Sequence, residues 1–161
     1  MGGLIVSDYP SHYFITSGSG IADDELVSFD KALIDADISN YNLVRISSIL
    51  PIGAERAESI DLIEGSPLLT AYGTMSCGES GTMIASAIAI GIPKDIQKVG
   101  VIMEFSGKCT KEVALDKVRN MAEQAMQNHG IALKKIISSG IDEKCSGKGV
   151  TTVISAVAIW R

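Results

Sequence analysis

The sequence predicts a layered α+β sandwich in a single domain of about six strands and two helices. Three features carry that prediction. Apolar residues recur at spacings of three and four in only two stretches, the signature of amphipathic helices. Several other stretches are short apolar or alternating runs closed by glycine or proline, the signature of strands. No internal repeat or shift in composition divides the 161 residues, a length ordinary for one domain. Hydrophobic residues make up 46% of the chain and charged residues 20%, which supplies a core and is unlike a disordered composition.

Taken in order, residues 1–22 are rich in Gly and Ser with a short apolar piece, Tyr13–Thr16, and read as a strand and a loop. Asp23 to Asp35 reads as a helix: Leu26, Phe29 and Leu33 form a face, behind acidic residues that suit a helix N-terminus. Tyr41–Leu50 alternates loosely and ends at Pro51, so it reads as one strand. Residues 53–66 are polar and read as a loop or crossover. Leu68–Ser76 and Thr82–Ile92 are strands joined by a turn holding Gly78 and Gly81; the second is so apolar that both faces should be covered. Val99–Phe105 follows as a strand after a turn at Pro93–Lys98. Thr110 is placed to cap a long helix ending near His129, with Gly130 as its stop. Val113, Lys117, Val118, Met121, Ala122, Ala125 and Met126 give that helix its mostly apolar side. Ile131–Ile141 and Val150–Trp160 close the chain as strands around a Gly-rich loop.

Composition also excludes functions. The net charge of −5 argues against nucleic acid, since phosphate binding needs clustered Lys and Arg. Cys77, Cys109 and Cys145 are odd in number, well separated and without a C-x-x-C pair, so neither a disulfide framework nor a metal site is expected. Free thiols and the lack of a basic-then-apolar N-terminus give a cytoplasmic location as the expectation. The longest apolar run, Met83–Ile92, is about half of the ~20 residues a membrane helix needs. Nucleotide-binding glycine motifs are missing, and Gly18-Ser19-Gly20 and Gly147-Lys148-Gly149 read as turn chemistry. Of the two histidines, His129 suits a helix C-terminus and neither has a motif around it that would support a Ser-His-Asp triad.

The informative segment is Asn42-Leu43-Val44-Arg45-Ile46-Ser47-Ser48-Ile49-Leu50-Pro51. A Ser-Ser pair late in an apolar strand is ordinarily a strand end meeting a turn, and Ser138-Ser139 stands in a similar setting. A serine hydroxyl, however, lies close to the carbonyl of the preceding residue. Strain at a strand-to-turn junction lets it attack, moving the acyl group from nitrogen to oxygen. Elimination of the ester cuts the chain, and loss of ammonia leaves a ketone on the new N-terminus. Pro51 is placed to supply strain and Asn42 an amide donor for the developing oxyanion.

Together with Phe29-Asp30-x-Ala32-Leu33, this segment resembles the pyruvoyl-dependent arginine decarboxylases. The similarity continues through Pro67-x-x-x-Thr70-Ala71-Tyr72-Gly73, Ile92-Pro93-Lys94-Asp95, Ile102-Met103-Glu104-x-x-Gly107-Lys108-Cys109 and Ala156-x-Ala158-x-Trp160. The first 25 residues match poorly, and Tyr41 stands where the family has a smaller aliphatic residue.

The resemblance implies cleavage between Ser47 and Ser48, giving a β chain 1–47 and an α chain 48–161. Ser48 then becomes a covalent pyruvoyl group, with no metal and no pyridoxal phosphate. That ketone condenses with the α-amine of arginine and acts as the electron sink for loss of CO2, yielding agmatine for polyamine synthesis. By the same resemblance Glu104 is the proton donor, Asp30 holds the guanidinium, Leu33 and Ile49 line the pocket, and Asn42 assists processing. It also implies a four-layer α-β-β-α sandwich assembled as a homo-oligomer, a trimer or a multiple of it, with sites between subunits. Read from the residues alone, Glu104 is either a buried acid with a raised pKa or a water-facing residue near a strand end. Asp30 is likewise either a guanidinium partner or a solvated helical Asp. Arg45 alternates away from Asn42 and reads as structural. Two alternatives stand: the same chemistry on another amino acid, motivated by Tyr41 and the divergent N-terminus, or a non-cleaving ligand-binding oligomer.

Overall fold

The computed structural model describes residues 9–161, so the loop reading of residues 1–8 and the signal reading of the N-terminus lie largely outside it. Within that span the chain folds as a mixed α+β unit with two helices and two sheets. Strands β1 (His12–Ala22), β2 (Asn42–Arg45), β4 (Glu55–Arg56), β5 (Pro67–Cys77) and β9 (Val150–Trp160) make one sheet, in the order β2-β5-β9-β1-β4. Strands β3 (Ile49–Leu50), β7 (Gly100–Gly107), β6 (Met83–Pro93) and β8 (Leu133–Lys144) make the other, in that order. Helices α1 (Glu25–Asp35) and α2 (Lys111–Asn128) follow β1 and β7.

The sheets bury a shared core because the apolar residues of their facing sides alternate into it. Ile15, Ala71, Val157 and Ile159 come from the five-stranded sheet, and Leu50, Ile88, Ile90 and Ile102 from the other. Each fully buried Ile or Val contributes roughly 1.5–3 kcal/mol by leaving water. Two further clusters join each sheet to one helix. Ala32 and Leu33 of α1, with its C-cap Ala36, pack on Ile154, Ala156, Ala158 and Trp160 of β9. Ala114, Val118 and Ala122 of α2 pack on Ala85, Ala87 and Ala89 of β6. Strand β6 is therefore covered on both sides, as its uniform apolarity predicts.

Several sequence expectations need correction. Gly18 and Gly20 are not turn residues; they lie in the middle of β1, which runs eleven residues rather than four. They are glycine because α1 rests directly on them. A methyl on Gly18 would stand 2.5 Å from the Ala32 carbonyl oxygen, and one on Gly20 would stand 2.4 Å from that of Ser28. The turn reading holds for Gly147 and Gly149, both with positive φ. Val113 is exposed and does not belong to the buried side of α2, where Ala114 takes its place. Tyr41–Leu50 is not one strand but two short ones in different sheets.

Helix ends follow their chemistry. Asp24 caps α1, its carboxylate accepting from the amides of Leu26 (2.8 Å) and Val27 (3.3 Å). Thr110 caps α2, and Gly130, at φ +65°, follows the C-cap His129, as the sequence predicts. No helix among the described residues is long and apolar enough to cross a membrane.

Candidate active site

The break between β2 and β3 is the central feature. Strand β2 is an edge of the five-stranded sheet, parallel to β5, with Arg45 opposite Thr70. The Ile46 amide still donates to the Thr70 carbonyl (3.1 Å). Two residues later the Ser48 carbonyl accepts from the Ile102 amide of β7 (2.7 Å), and β3 continues along the edge of the four-stranded sheet with Ile49 opposite Val101. The Ser47–Ser48 bond is thus crossed between the last hydrogen bond to one sheet and the first to the other. Neither Ser47 nor Ser48 has positive φ; among the described non-glycine residues that conformation belongs to Asp37. Ser138-Ser139 lies inside the continuous strand β8, with its hydroxyls taken by Arg119 (3.0 Å) and Ser17 (2.7 Å).

Exposure alternates through the segment: Ser47 and Ile49 are exposed, Ser48 is half-buried, and Leu50 is buried in the core between the sheets. Alternation therefore puts Ser48 on the inner side, with Leu50. Glu104 lies two residues beyond Ile102 on β7, roughly 7 Å along the strand. Its side chain reaches towards β5 over Gly73, where a methyl would stand 3.3 Å from its Cβ and Cγ. Burial pushes the Glu104 carboxyl above its usual range; the positive charge of Arg45 and a backbone hydrogen bond oppose the shift without cancelling it. By register, Ser48 and Glu104 thus lie on the same face of the four-stranded sheet.

Arg45 is the residue whose role the sequence concealed. Its guanidinium lies 4.0 Å over the Tyr72 ring while its charge acts on Glu104. Alternation along β2 fixes which side it leaves from but not which partner β5 offers there, so only the sheet order links it to the acid.

The other predicted residues fall elsewhere on the chain. Asp30 and Leu33 of α1 line one open cavity of about 480 Å³ together with Phe29 and Tyr41. The Tyr41 hydroxyl donates towards the carbonyls of Ile60 (3.4 Å) and Leu62 (3.5 Å). A neighbouring cavity of about 510 Å³ contains Phe29, Arg45 and Tyr72. Ser48 and Glu104 line neither of these two. Asn42 stands at the far end of β2, its side-chain amide donating to the Gly65 carbonyl (2.7 Å). Ile49 is 38% exposed and points away from the inter-sheet core. A single chain therefore places Ser48 and Glu104 on one face of the four-stranded sheet and Asp30 with Leu33 in a separate cavity. Cys77, Cys109 and Cys145 are free thiols. No cluster of potential metal ligands occurs among the described residues.

Comparison with known proteins bears on this arrangement. The profile of the pyruvoyl-dependent arginine decarboxylases matches residues 12–160. A protein of that name from Methanococcus aeolicus is 36% identical over 151 residues, spanning 94% of this chain and 90% of the relative. Those from Methanocaldococcus jannaschii (37%, the same coverage) and Thermococcus kodakarensis (36% over 138 residues, 84% of this chain and 87% of the relative) are similar. With its serine pair crossing between two sheets and this extent of identity to its relatives, the chain belongs to the pyruvoyl-dependent arginine decarboxylase family.

Proposed function

We propose that the chain cuts itself between Ser47 and Ser48 and, with the pyruvoyl group derived from Ser48, decarboxylates L-arginine to agmatine and CO2. The observation that carries the reading is the crossing of the Ser47–Ser48 bond between sheets, where neither strand ladder holds it. Hydrogen bonds to Thr70 and Ile102 grip the chain on either side, so the bond can break while both ends stay anchored. The site also fits the group it would carry: Ser48 is half-buried on the inner side, and its carbonyl is fixed by the Ile102 amide, which would orient the adjacent amide.

When formed, the pyruvoyl group supplies the electron sink for decarboxylation. Glu104, with its pKa raised by burial, holds its proton to higher pH than a free carboxyl does and delivers it to the α-carbon of the substrate. Asp30 accepts two hydrogen bonds from the planar guanidinium, a geometry that favours arginine over lysine. Leu33 and Ile49 flank the aliphatic stem. Asn42, at the far end of β2 from Ser48 in its own chain, would assist self-processing from a neighbouring subunit.

Because the cavity lined by Asp30 and Leu33 does not include Ser48 in one chain, we place the complete site between subunits of a homo-oligomer, a trimer or a multiple of it. There α1 of one subunit would face the serine pair of the next. The packing of α1 on one sheet and α2 on the other supports a four-layer α-β-β-α sandwich as the building block. A cytoplasmic enzyme feeding polyamine synthesis fits these features.

Denaturing mass spectrometry tests the reading. The expected outcome is two fragments, 1–47 and 48–161, the larger lacking the mass of ammonia and blocked to N-terminal sequencing. Ser48→Ala is expected to remain one inactive piece. Cleaved and active Ser48→Ala protein would overturn the assignment.

A second reading keeps the chemistry and changes the amino acid, since Tyr41 stands in the same cavity as Asp30 and Leu33. CO2 release across a panel of amino acids separates the two: preference for arginine supports the first, and preference for a smaller or uncharged side chain the second.

A further inference from the structure

We infer that Gly73 is the positioning residue for Glu104: its missing side chain is the seat in which the stem of that acid lies, held at fixed depth by a hydroxyl chain through Ser106 and Ser86. The inference rests on the reading of Glu104 as proton donor.

Three contacts define the seat. A methyl on Gly73 would stand 3.3 Å from both Cβ and Cγ of Glu104 and 3.0 Å from Oγ of Ser106. The Ser106 hydroxyl donates to that of Ser86 (2.8 Å), and Ser86 donates to the Gly73 carbonyl (2.9 Å). Ser86 is fully buried. One hydrogen-bonded chain therefore runs from β7 through β6 to the backbone of β5, across the gap between the sheets, beside the acid. A buried hydroxyl pair costs free energy unless both groups are satisfied. Here both are: Ser106 donates to Ser86, and Ser86 to the backbone of the residue that leaves room for Glu104.

Glycine at 73 serves no turn, because the residue lies inside β5 and its φ is not positive. Within a strand glycine weakens packing and marks close approach by another group. The group that approaches is the acid. Arg45 of β2 is the charged side chain acting on Glu104; Gly73 of β5 faces its stem and Ile88 is its partner in β6, so neither packed strand brings a charge to it there.

An alanine at 73 forces the acid to move by a few tenths of an ångström, outward towards water. Since misplacement of about 1 Å can cost on the order of a hundredfold in rate, a loss of about tenfold is expected. Less burial lowers the pKa of Glu104, so the alkaline limb of the rate profile moves to lower pH.

The experiment compares purified Gly73→Ala, Gly73→Ala/Ser106→Ala and Glu104→Gln proteins with the unaltered enzyme. It measures completeness of self-cleavage by denaturing mass spectrometry, kcat and KM for arginine, and the pH profile of kcat. The double variant removes the 3.0 Å contact and keeps the crowding of Glu104, so it serves if the single one folds poorly. The expected result is complete cleavage, KM within about twofold, kcat down about tenfold and an alkaline limb at lower pH. Loss of thermal stability with an unmoved alkaline limb and unchanged kcat would overturn the inference, as would either alanine variant with unaltered kinetics beside an inactive Glu104→Gln. Normal turnover by Glu104→Gln would remove the acid reading, and the seat with it.

Discussion

Glu104 carries opposite demands. Burial raises its pKa, so the folded state holds the proton more tightly than the unfolded chain does. The stabilising effect of that proton is complete below the unfolded carboxylate range and disappears as pH rises through the raised value. Activity that needs the protonated form falls over the same window. Glu104→Gln is therefore expected to leave self-cleavage intact and to lower turnover by about 10²–10⁴-fold, the usual worth of a positioned proton donor. At pH 8 it should also raise the melting temperature, because an amide needs no ionisation in a half-buried site. Thermal denaturation at pH 5 and pH 8 checks this; an equal change at both would separate the stability effect from ionisation. Arg45 opposes the shift, so its removal should push the Glu104 pKa further up. Arg45→Met is expected to move the alkaline limb of the kcat profile to higher pH, opposite in sign to Gly73→Ala.

Helix α1 is set by contact with bare backbone. Gly18 and Gly20 let the helix lie against β1, Ser28 bonds the Thr152 hydroxyl beneath it (2.6 Å), and Thr16 donates to the carbonyl of Ala36 at its end (2.9 Å). This helix carries Asp30 and Leu33, so its position fixes the guanidinium end of the proposed site. A methyl at position 20 would stand 2.4 Å from the Ser28 carbonyl oxygen and 2.6 Å from the Ala32 nitrogen, neither of which belongs to a movable side chain. Gly20→Ala should therefore lift α1 and destabilise the protein by roughly 1–3 kcal/mol, the usual cost of overpacking. Arginine binding should weaken as well. Urea denaturation reads the first effect and KM the second. Asp24→Ala should cost about 1 kcal/mol through loss of the cap, without displacing the helix.

Cleavage between Ser47 and Ser48 would not give two separable bodies. The fragment 1–47 supplies β1, α1 and β2, and the fragment 48–161 supplies every other element. In the five-stranded sheet these interleave: β2 flanks β5, and β1 lies between β9 and β4. Strand β1 pairs with β9 along its whole length, from His12 opposite Trp160 to Ala22 opposite Val150. Removing the smaller fragment would expose the core between the sheets and the apolar underside of α1 together. The processed protein is therefore expected to elute and to melt as one unit under native conditions, with fragments separating only in denaturant. Native and denaturing mass spectrometry of one sample check this, and a free 48–161 species in the native spectrum would contradict the interleaved topology.

What local pattern dictates, the chain announces. Both helices, their caps at one end and the glycine stop of the second follow from spacing and from side chains that satisfy free amides. The long strands β5, β6, β7 and β9 follow from apolar runs closed by turns, and the serine pair was marked by its flanking motif. Other features depend on partners distant in sequence. Alternation through Tyr41–Leu50 is the same whether the strand stays in one sheet or passes between two, so the crossing at Ser47–Ser48 is set by hydrogen bonds to Thr70 and Ile102. Glycines 18 and 20 resemble turn residues until a helix some ten residues onward lies on them. Arg45 and Gly73 acquire their relation to Glu104 only when β2, β5 and β7 come together. Short-range sterics and capping act within a few residues and are written in order along the chain, whereas burial, charge and close packing depend on which strands become neighbours.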